Sequence, residues 1–327
     1  MLSEEIYYYK LKFTDIYQHV VLPALRIVEN DRKKWQDSAL LFKQRTVVFG
    51  TVMFIFINLY ISSRLLPREI AAPTWFDNII TMWTTPEVLL FLVIASIVGG
   101  ILCYALSLIC RTKFEETLKS KVMPVAVKAY DTLKWSTSPI IPVGEIVASK
   151  VFDSKKLSIA SISNGDTFIG TFKNHTFKMS EILLNYKKGE GVENFKGVII
   201  SVEIPRRILG NTLVKNAGST VAYEHGEISL FDEFSKNFKV FTTDKLEGRY
   251  LVSDTFLRTL QNLQKAYSAD KVECSFFEHR LLITLENSAP LFFVGDFDHS
   301  VLDTNRYSLF LDRLVLIFEI IEALKIY

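Results

Sequence analysis

Two stretches of uniformly apolar sequence interrupt an otherwise amphipathic chain. From Thr46 to Ser63 it reads TVVFGTVMFIFINLYISS, without a charged residue and with Asn58 as its single amide, close to the minimum that crosses a hydrocarbon core about 30 Å thick. From Val88 to Cys110, VLLFLVIASIVGGILCYALSLIC is also uncharged and long enough to cross with some tilt. Core helices of soluble proteins rarely run this long without a charge, so the pattern predicts two transmembrane spans, 46–63 and 88–110, joined by a short connector, 64–87. The first run follows an acidic and aromatic start, MLSEEIYYY, unlike the short basic start of a cleaved signal peptide, and is expected to stay in the mature protein.

The flanks of the spans are patterned differently. Phe13, Tyr17, Val20, Ala24 and Ile27 recur at helical spacing, predicting an amphipathic helix within 1–45 that Pro23 kinks. Phe114, Leu118, Val122, Val125 and Ala129 do the same within 111–135, with Pro124 as a second kink. Antiparallel pairing of the two stripes would extend the hairpin into a stalk. Alternatively the first helix lies on the membrane, with Lys10, Lys12 and Arg26 toward lipid phosphates.

Orientation follows from charge. Arg26, Arg32, Lys33, Lys34, Lys43 and Arg45 precede span one, and Arg111, Lys113, Lys119, Lys121 and Lys128 follow span two. The connector holds only Arg64 and Arg68 against Glu69, Asp77 and Glu87, with Trp75 and Trp83 suited to a headgroup-level belt. Both termini are therefore expected in the cytoplasm. In span two, Ala95, Gly99 and Cys103 form a small-residue face for close approach of span one or of a second copy, giving a homo-oligomer in the latter case. Neither span holds an ionisable Lys, Arg, Asp, Glu or His, which argues against an ion path or proton relay.

Beyond Trp135 the pattern changes. Ser136–Gly144 (STSPIIPVG) reads as a linker. From Leu157, short β-branched and aromatic runs alternate with turn signals: LSIASIS, Asn164-Gly165-Asp166, TFIGTF, Lys173-Asn174-His175, TFKM. Further strands are expected at Gly197–Ile204, Glu227–Leu230, Phe238–Thr242, Val272–Phe277, Leu281–Leu285 and Leu291–Val294. A helix capped by Ser253 or Asp254 aligns Phe256, Leu260, Leu263 and Tyr267; another, from about Asn305, aligns Leu311, Leu314, Val315, Phe318, Ile321 and Leu324. The class is α+β, mainly antiparallel, over 136–327, with no regular βαβ alternation.

A chain of 327 residues is long enough for two structural units. With 49% hydrophobic residues it is not a disordered protein. Lys plus Arg (38) nearly balances Asp plus Glu (36), so no global field favours nucleic acid as a partner. Cys103, Cys110 and Cys274 make neither a disulfide framework nor a CxxC site.

Signatures of nucleotide binding are absent: there is no GxxxxGK[ST] and no GxGxxG after a strand, and Gly189-Glu190-Gly191 reads as a solvated turn, so no cofactor is expected. GxSxG and HExxH are absent too, and His19, His175, His225, His279 and His299 are scattered. One dense polar cluster remains: Asp296, Asp298 and His299, with Asp303 nearby, offer carboxylates and an imidazole for a divalent cation or acid/base work. The same residues suit a polar turn between a strand and the last helix. Between two apolar runs, Asp244, Glu247 and Arg249 suggest either an ion pair that fixes a turn or a ligand site.

That last stretch lies in FSKNFKVFTTDKLEGRYLVSDTFLRTLQNL (Phe234–Leu263), which with VECSFFEHRLLITLEN and PLFF resembles a family of bacterial membrane proteins known as domain of unknown function number 3137. FKGVIISVEIPRRILGNTLV (Phe195–Val214) resembles the family's F-x-G strand and G-x-T-L-V element, and LPALRIVENDR (Leu22–Arg32) its kinked helix before the first span. Ser235-Lys236-Asn237 replaces a plain Asn-Lys, and Gly248 stands where the family more usually has alanine. The resemblance implies the two-span plan, no established enzyme activity, and, as a partner, a membrane-anchored helical protein of the LemA type.

Three functions compete. A non-enzymatic binding or adaptor module would present the α+β domain at the inner membrane, and the missing catalytic motifs favour it. A membrane-tethered metal-dependent hydrolase would use the Asp296, Asp298 and His299 loop. A structural protein would oligomerise through Ala95, Gly99 and Cys103.

Overall fold

A computed structural model describes residues 4–65, 85–127, 133–152, 158–188, 191–219, 226–287, 297–302 and 304–324. The chain divides into a helical unit, Leu25–Ser120 with Gly295–Leu302, and a sheet unit made of Met1–Ala24, Lys121–Val294 and Asp303–Tyr327. The connector with Trp75 and Trp83, the expected strand Leu291–Val294, and Asp296 and Asp303 lie outside the described residues.

The N-terminal helices are α1 (Glu4–Ile16) and α2 (Leu22–Leu65), joined without a break by a π-helical turn at Tyr17–Val21. Pro23 explains the turn. Proline lacks an N–H and its ring crowds the carbonyl one turn earlier, here that of His19, so a wider turn accommodates it. Helix α3 (Pro86–Val127) contains the second apolar run and continues through Pro124. Both α2 and α3 contain stretches long and apolar enough to cross a membrane.

Within the helical unit the two helices meet at glycine: a β-carbon on Gly99 would stand 2.8 Å from Cε1 of Phe49. The contact face of α3 runs through Leu89, Ser96, Ser107, Cys110, Phe114 and Leu118, all buried. Ala95 is exposed, off that face, and Cys103 is half-buried. On α2 the buried positions are Leu25, Val28, Glu29, Arg32 and Ala39. The stripe expected through Val20 and Ile27 is displaced by one residue, a rotation of about 100°. Val20 and Ile27 are exposed, while Val21 and Leu25 are buried. Two charges, Glu29 and Arg32, sit on the buried face, which is why apolar periodicity alone misplaced it.

Among the described residues the sheet unit holds seven antiparallel strands. Six run in the order β1 (Lys134–Ser136), β2 (Ser158–Phe172), β3 (His175–Lys188), β4 (Gly191–Asn216), β6 (Phe238–Thr242), β5 (Gly226–Ile228), and β7 (Lys271–Glu286) also pairs with β4. Three expectations need correction. The helix expected to reach residue 135 ends earlier, and Lys134–Ser136, at the expected linker, pairs with β2 from Lys134↔Ile169 to Ser136↔Thr167. Asn164-Gly165-Asp166 is no turn. It is an irregularity inside a continuous β2, where Asp166 accepts a hydrogen bond from Trp135 Nε1 at 3.2 Å. The turn is Lys173-Asn174, both at positive φ (46° and 62°), as a tight two-residue hairpin loop requires. Finally, Val272–Phe277 and Leu281–Leu285 are one strand, broken in register by Glu278 at φ 51°.

Helices cover both faces of the sheet. On one face α4 (Val143–Ser149) and the segment after it close a core of Ile146, Val151, Phe152, Leu184, Phe195 and Leu282. On the other lie α7 (Asp254–Ala266) and α8 (Thr304–Ala323); α5 (Asp232–Ser235) and α6 (Lys245–Leu251) are short connections. Ser253 caps α7 by accepting from the Phe256 N–H, and Phe256, Leu260, Leu263 and Tyr267 are fully buried. Phe318 of α8 stacks on Phe172 at 4.3 Å, and Tyr17 meets Tyr307 at 5.6 Å, so α1 packs with α8. The fold is α+β, as the sequence implied.

Candidate functional site

Helix α6 is the most informative element of the sheet unit, because the Asp244–Arg249 stretch builds it. Asp244 is its N-cap: its carboxylate accepts from the N–H groups of Leu246 at 2.9 Å and Glu247 at 3.1 Å. Glu247 reaches the other way, accepting from Leu209 N at 3.2 Å and Gly210 N at 2.9 Å. Both carboxylates are thus engaged with backbone donors. Arg249 makes no pair with either; it lines a groove of about 510 Å³ with Ile228, Leu230, Phe231, Val240, Val252 and Asp254. Phe231 is 73% exposed on this groove, and β5 beside it is an edge strand that, among the described residues, pairs with β6 alone. Gly248 faces the groove floor, where Ile228 and Thr242 leave little room for a β-carbon. Of the two candidate binding residues, Arg249 lines this groove, whereas Asp244 serves the helix.

A second cavity, about 300 Å³, is lined by Phe152, Tyr186, Glu193, Lys215, Ser219, Lys271, Glu273 and Glu286. Lys215 is 3% exposed, donating to the Val151 carbonyl at 2.6 Å and to Glu273. Glu273 also accepts from Ser219 Oγ at 2.6 Å. Tyr186 donates to Glu193 at 3.0 Å, and burial, then that carboxylate, pushes its phenol well above the usual range, keeping it a donor. Every charge here has a partner: Lys271 pairs with Glu286 at 3.2 Å. Sequence reading missed this cluster. The available signal was Lys215 in strand alternation with the apolar Leu213 in GNTLVKN.

The Asp298–His299 loop belongs to the helical unit. Arg32 Nη1 and Gln36 Nε2 donate to the Phe297 carbonyl at 3.1 and 2.6 Å. Glu29 accepts from Arg32 and from Val301 N at 3.0 Å. The guanidinium beside Glu29 holds its carboxyl below the usual carboxylate range against the opposing effect of burial. Phe297 packs edge-on against Phe114 at 5.7 Å, and Asp298 pairs with Arg111. The loop acts as a clip on α2 and α3. Asp296 lies outside the described residues, among which no group of three His, Cys, Asp or Glu is placed to hold a metal ion.

Residues 193–326 match the model of the family described as protein of unknown function DUF3137, which bears out the resemblance over that part of the chain. No curated protein matches the chain significantly. Among solved structures, the crystal structure of the mycobacterial trehalose monomycolate transport factor A, TtfA, is similar at 7% identity, covering 48% of this chain and 75% of that one with a TM-score of 0.27. A likeness at that level carries no argument here.

Proposed function

We propose that the protein is a membrane-anchored, non-enzymatic binding module, held in a bacterial inner membrane by α2 and α3 with both ends on the cytoplasmic side. The anchoring part is supported by Val47, Val48, Phe54, Ile55, Phe91, Ile94, Val98, Ile101 and Leu102, all exposed along the two helices, where lipid would remove them from water. The basic flanks support the orientation. The binding part rests on one observation: Phe231 stands exposed on a groove of mixed apolar and polar lining beside the edge strand β5, with Arg249 in the lining. An extended segment of a protein partner fits such a place, adding backbone pairing at the edge and an apolar anchor in the groove. A membrane-anchored helical protein with an extended acidic segment is the partner class that would use Arg249.

The test uses the full-length protein in its native membrane, with a photocrosslinking residue at Phe231 and, as control, at Asn262. A discrete adduct at position 231 that is reduced severalfold by Arg249→Glu supports the reading. Identical adduct patterns at 231 and 262 would overturn it.

A further inference from the structure

The groove uses one side of α6; the adjoining side, which shares Arg249 with it, carries a surface of different chemistry. Strands β4 and β7 are in register from Gly197↔Glu286 to Glu203↔Arg280 and again from Asn211↔Phe277 to Val214↔Cys274. Between those blocks, residues 204–210 of β4 face only residues 278 and 279 of β7, joined by the single pair Ile208↔Glu278. The excess chain, IPRRILG, is carried as a bulge, where Pro205 costs little because ladder donors are already interrupted. Glu247 of α6 holds it by the two N–H bonds of Leu209 and Gly210. The Arg206 guanidinium lies 5.7 Å from the centre of the Tyr250 ring.

This construction presents apolar tips among cations. Leu209 is 81% exposed and Leu246 83%, with Tyr250, one turn along α6 from Leu246, at 54%. Arg206 and Arg207 flank Leu209 in sequence and are exposed, and Lys245 and Arg249 flank Leu246 and Tyr250. The two local carboxylates, Asp244 and Glu247, are turned to backbone donors. Among the described residues Arg207, Lys245 and Arg249 have no carboxylate partner.

We propose that this surface docks on an anionic lipid bilayer, with Leu209, Leu246 and Tyr250 entering the headgroup boundary and the arginines among the phosphates. Leucines this exposed are projecting knobs, whereas a groove for a peptide is concave. Projecting aliphatic and aromatic tips ringed by cations suit a fluid interface that closes around them. Each basic side chain near an anionic surface shifts the docked equilibrium about fivefold. The proposal rests on the anchoring reading above, since a tethered domain needs only weak affinity to dock.

Full-length protein carrying Leu246→Cys is labelled with an environment-sensitive fluorophore, the unsubstituted protein providing the blank because its own cysteines are not exposed. It is reconstituted into vesicles of phosphatidylcholine alone or mixed with phosphatidylglycerol, each with nitroxide lipids as quenchers, and flotation is recorded on the same samples. Quenching at position 246 in anionic vesicles, lost in 1 M salt and reduced about tenfold or more in docked fraction by Arg206→Ala with Arg207→Ala, is the expected result. Flotation without quenching at 246, or equal quenching of a label at Asn262→Cys, overturns the docking proposal and leaves the anchor standing. Failure to float removes the anchor and the proposal with it. An emission shift produced by native membrane extract but not by anionic lipid would place a protein there instead, and also overturns it.

Discussion

The helical unit and the sheet unit distribute apolar surface in opposite ways. Along residues 46–62 of α2 and 88–110 of α3 the exposed surface is uncharged and largely apolar, whereas Glu29 and Arg32 of α2 are buried, closing on each other and on the 297–302 clip. In the sheet unit the interior is filled by apolar side chains, and the three most exposed of the large ones, Leu246, Leu209 and Phe231, lie on or beside α6. The difference teaches how to read an exposed leucine. On a long uncharged helix it reports lipid as solvent; on a sheet domain with a well-filled interior it marks a contact surface.

The largest way to break this contrast is to leave one buried charge alone. Arg32→Ala strands Glu29 and removes a donor from the Phe297 carbonyl, with an expected loss of about 3–5 kcal/mol and release of the clip. Thermal unfolding in detergent, together with protease cleavage within 297–302, checks it. Protonation should act in the same direction. Because the folded-state pKa of Glu29 is depressed, its contribution is complete above the unfolded value near 4.5 and fades as pH falls through the lower folded value. The stability gap between wild type and Glu29→Gln should therefore narrow below about pH 4.5. A gap unchanged down to pH 3 would show that Glu29 is not held charged by Arg32.

Lys215→Ala is the matching test in the sheet unit. It deprives Glu273 of its cation and Val151 of a donor, but Ser219 still donates to Glu273 and the carboxylate is 15% exposed. Water can reach part of what is lost, so about 2–4 kcal/mol is expected, less than for Arg32. Denaturant unfolding of the full chain measures both. If Lys215→Met with Glu273→Met recovers most of the loss, the pair is a structural plug of the cavity; if it does not, packing around Phe152 and Tyr186 carries the effect.

Gly99→Leu sharpens the helical side. Its side chain would meet the Phe49 ring, which already stands 2.8 Å from an added β-carbon, so overpacking of about 1–3 kcal/mol is expected. A cysteine pair at positions 49 and 100 should crosslink in the otherwise unsubstituted protein, where the Phe49 and Gly100 positions adjoin, and less once Gly99 is replaced. Undiminished crosslinking would show that the two helices do not depend on this glycine.

Much of the architecture was legible because burial repeats with the period of the element. Every apolar position expected on α8, from Leu311 to Leu324, is buried, and so is the whole expected face of α7. Legibility failed where a polar group takes part in packing. Arg32 and Glu29 belong to the buried face of α2, so the apolar stripe was assigned one residue away. It failed again where strands stay continuous through irregularities, since Asn164-Gly165-Asp166 and Glu278 carry turn-like sequence inside β2 and β7. Of the candidate residues, Arg249 stood out by its place between apolar runs, and it lines the groove without the ion pair that its spacing suggested. Lys215 and Glu273 escaped because their partnership joins β4 to β7, a pairing that sequence spacing does not encode.

The smallest expected effect is the most discriminating for α6. A glycine inside a helix ordinarily costs about 1 kcal/mol relative to alanine, so Gly248→Ala would by propensity alone stabilise the protein by that amount. The added β-carbon, however, would stand 2.9 Å from both Ile228 Cδ1 and Thr242 Oγ1. Ile228 can turn its terminal methyl aside. Thr242 cannot yield as easily, because its hydroxyl is shared with Thr212 Oγ1 at 2.8 Å and with the Asp244 carbonyl at 2.9 Å, which sets the start of α6. The two effects nearly cancel, with a net change within about 0.5 kcal/mol of zero. A full gain of about 1 kcal/mol in denaturant unfolding would mean that α6 moves freely over β6, and that the groove at Arg249 and the tips at Leu246 and Tyr250 are not held in fixed relation.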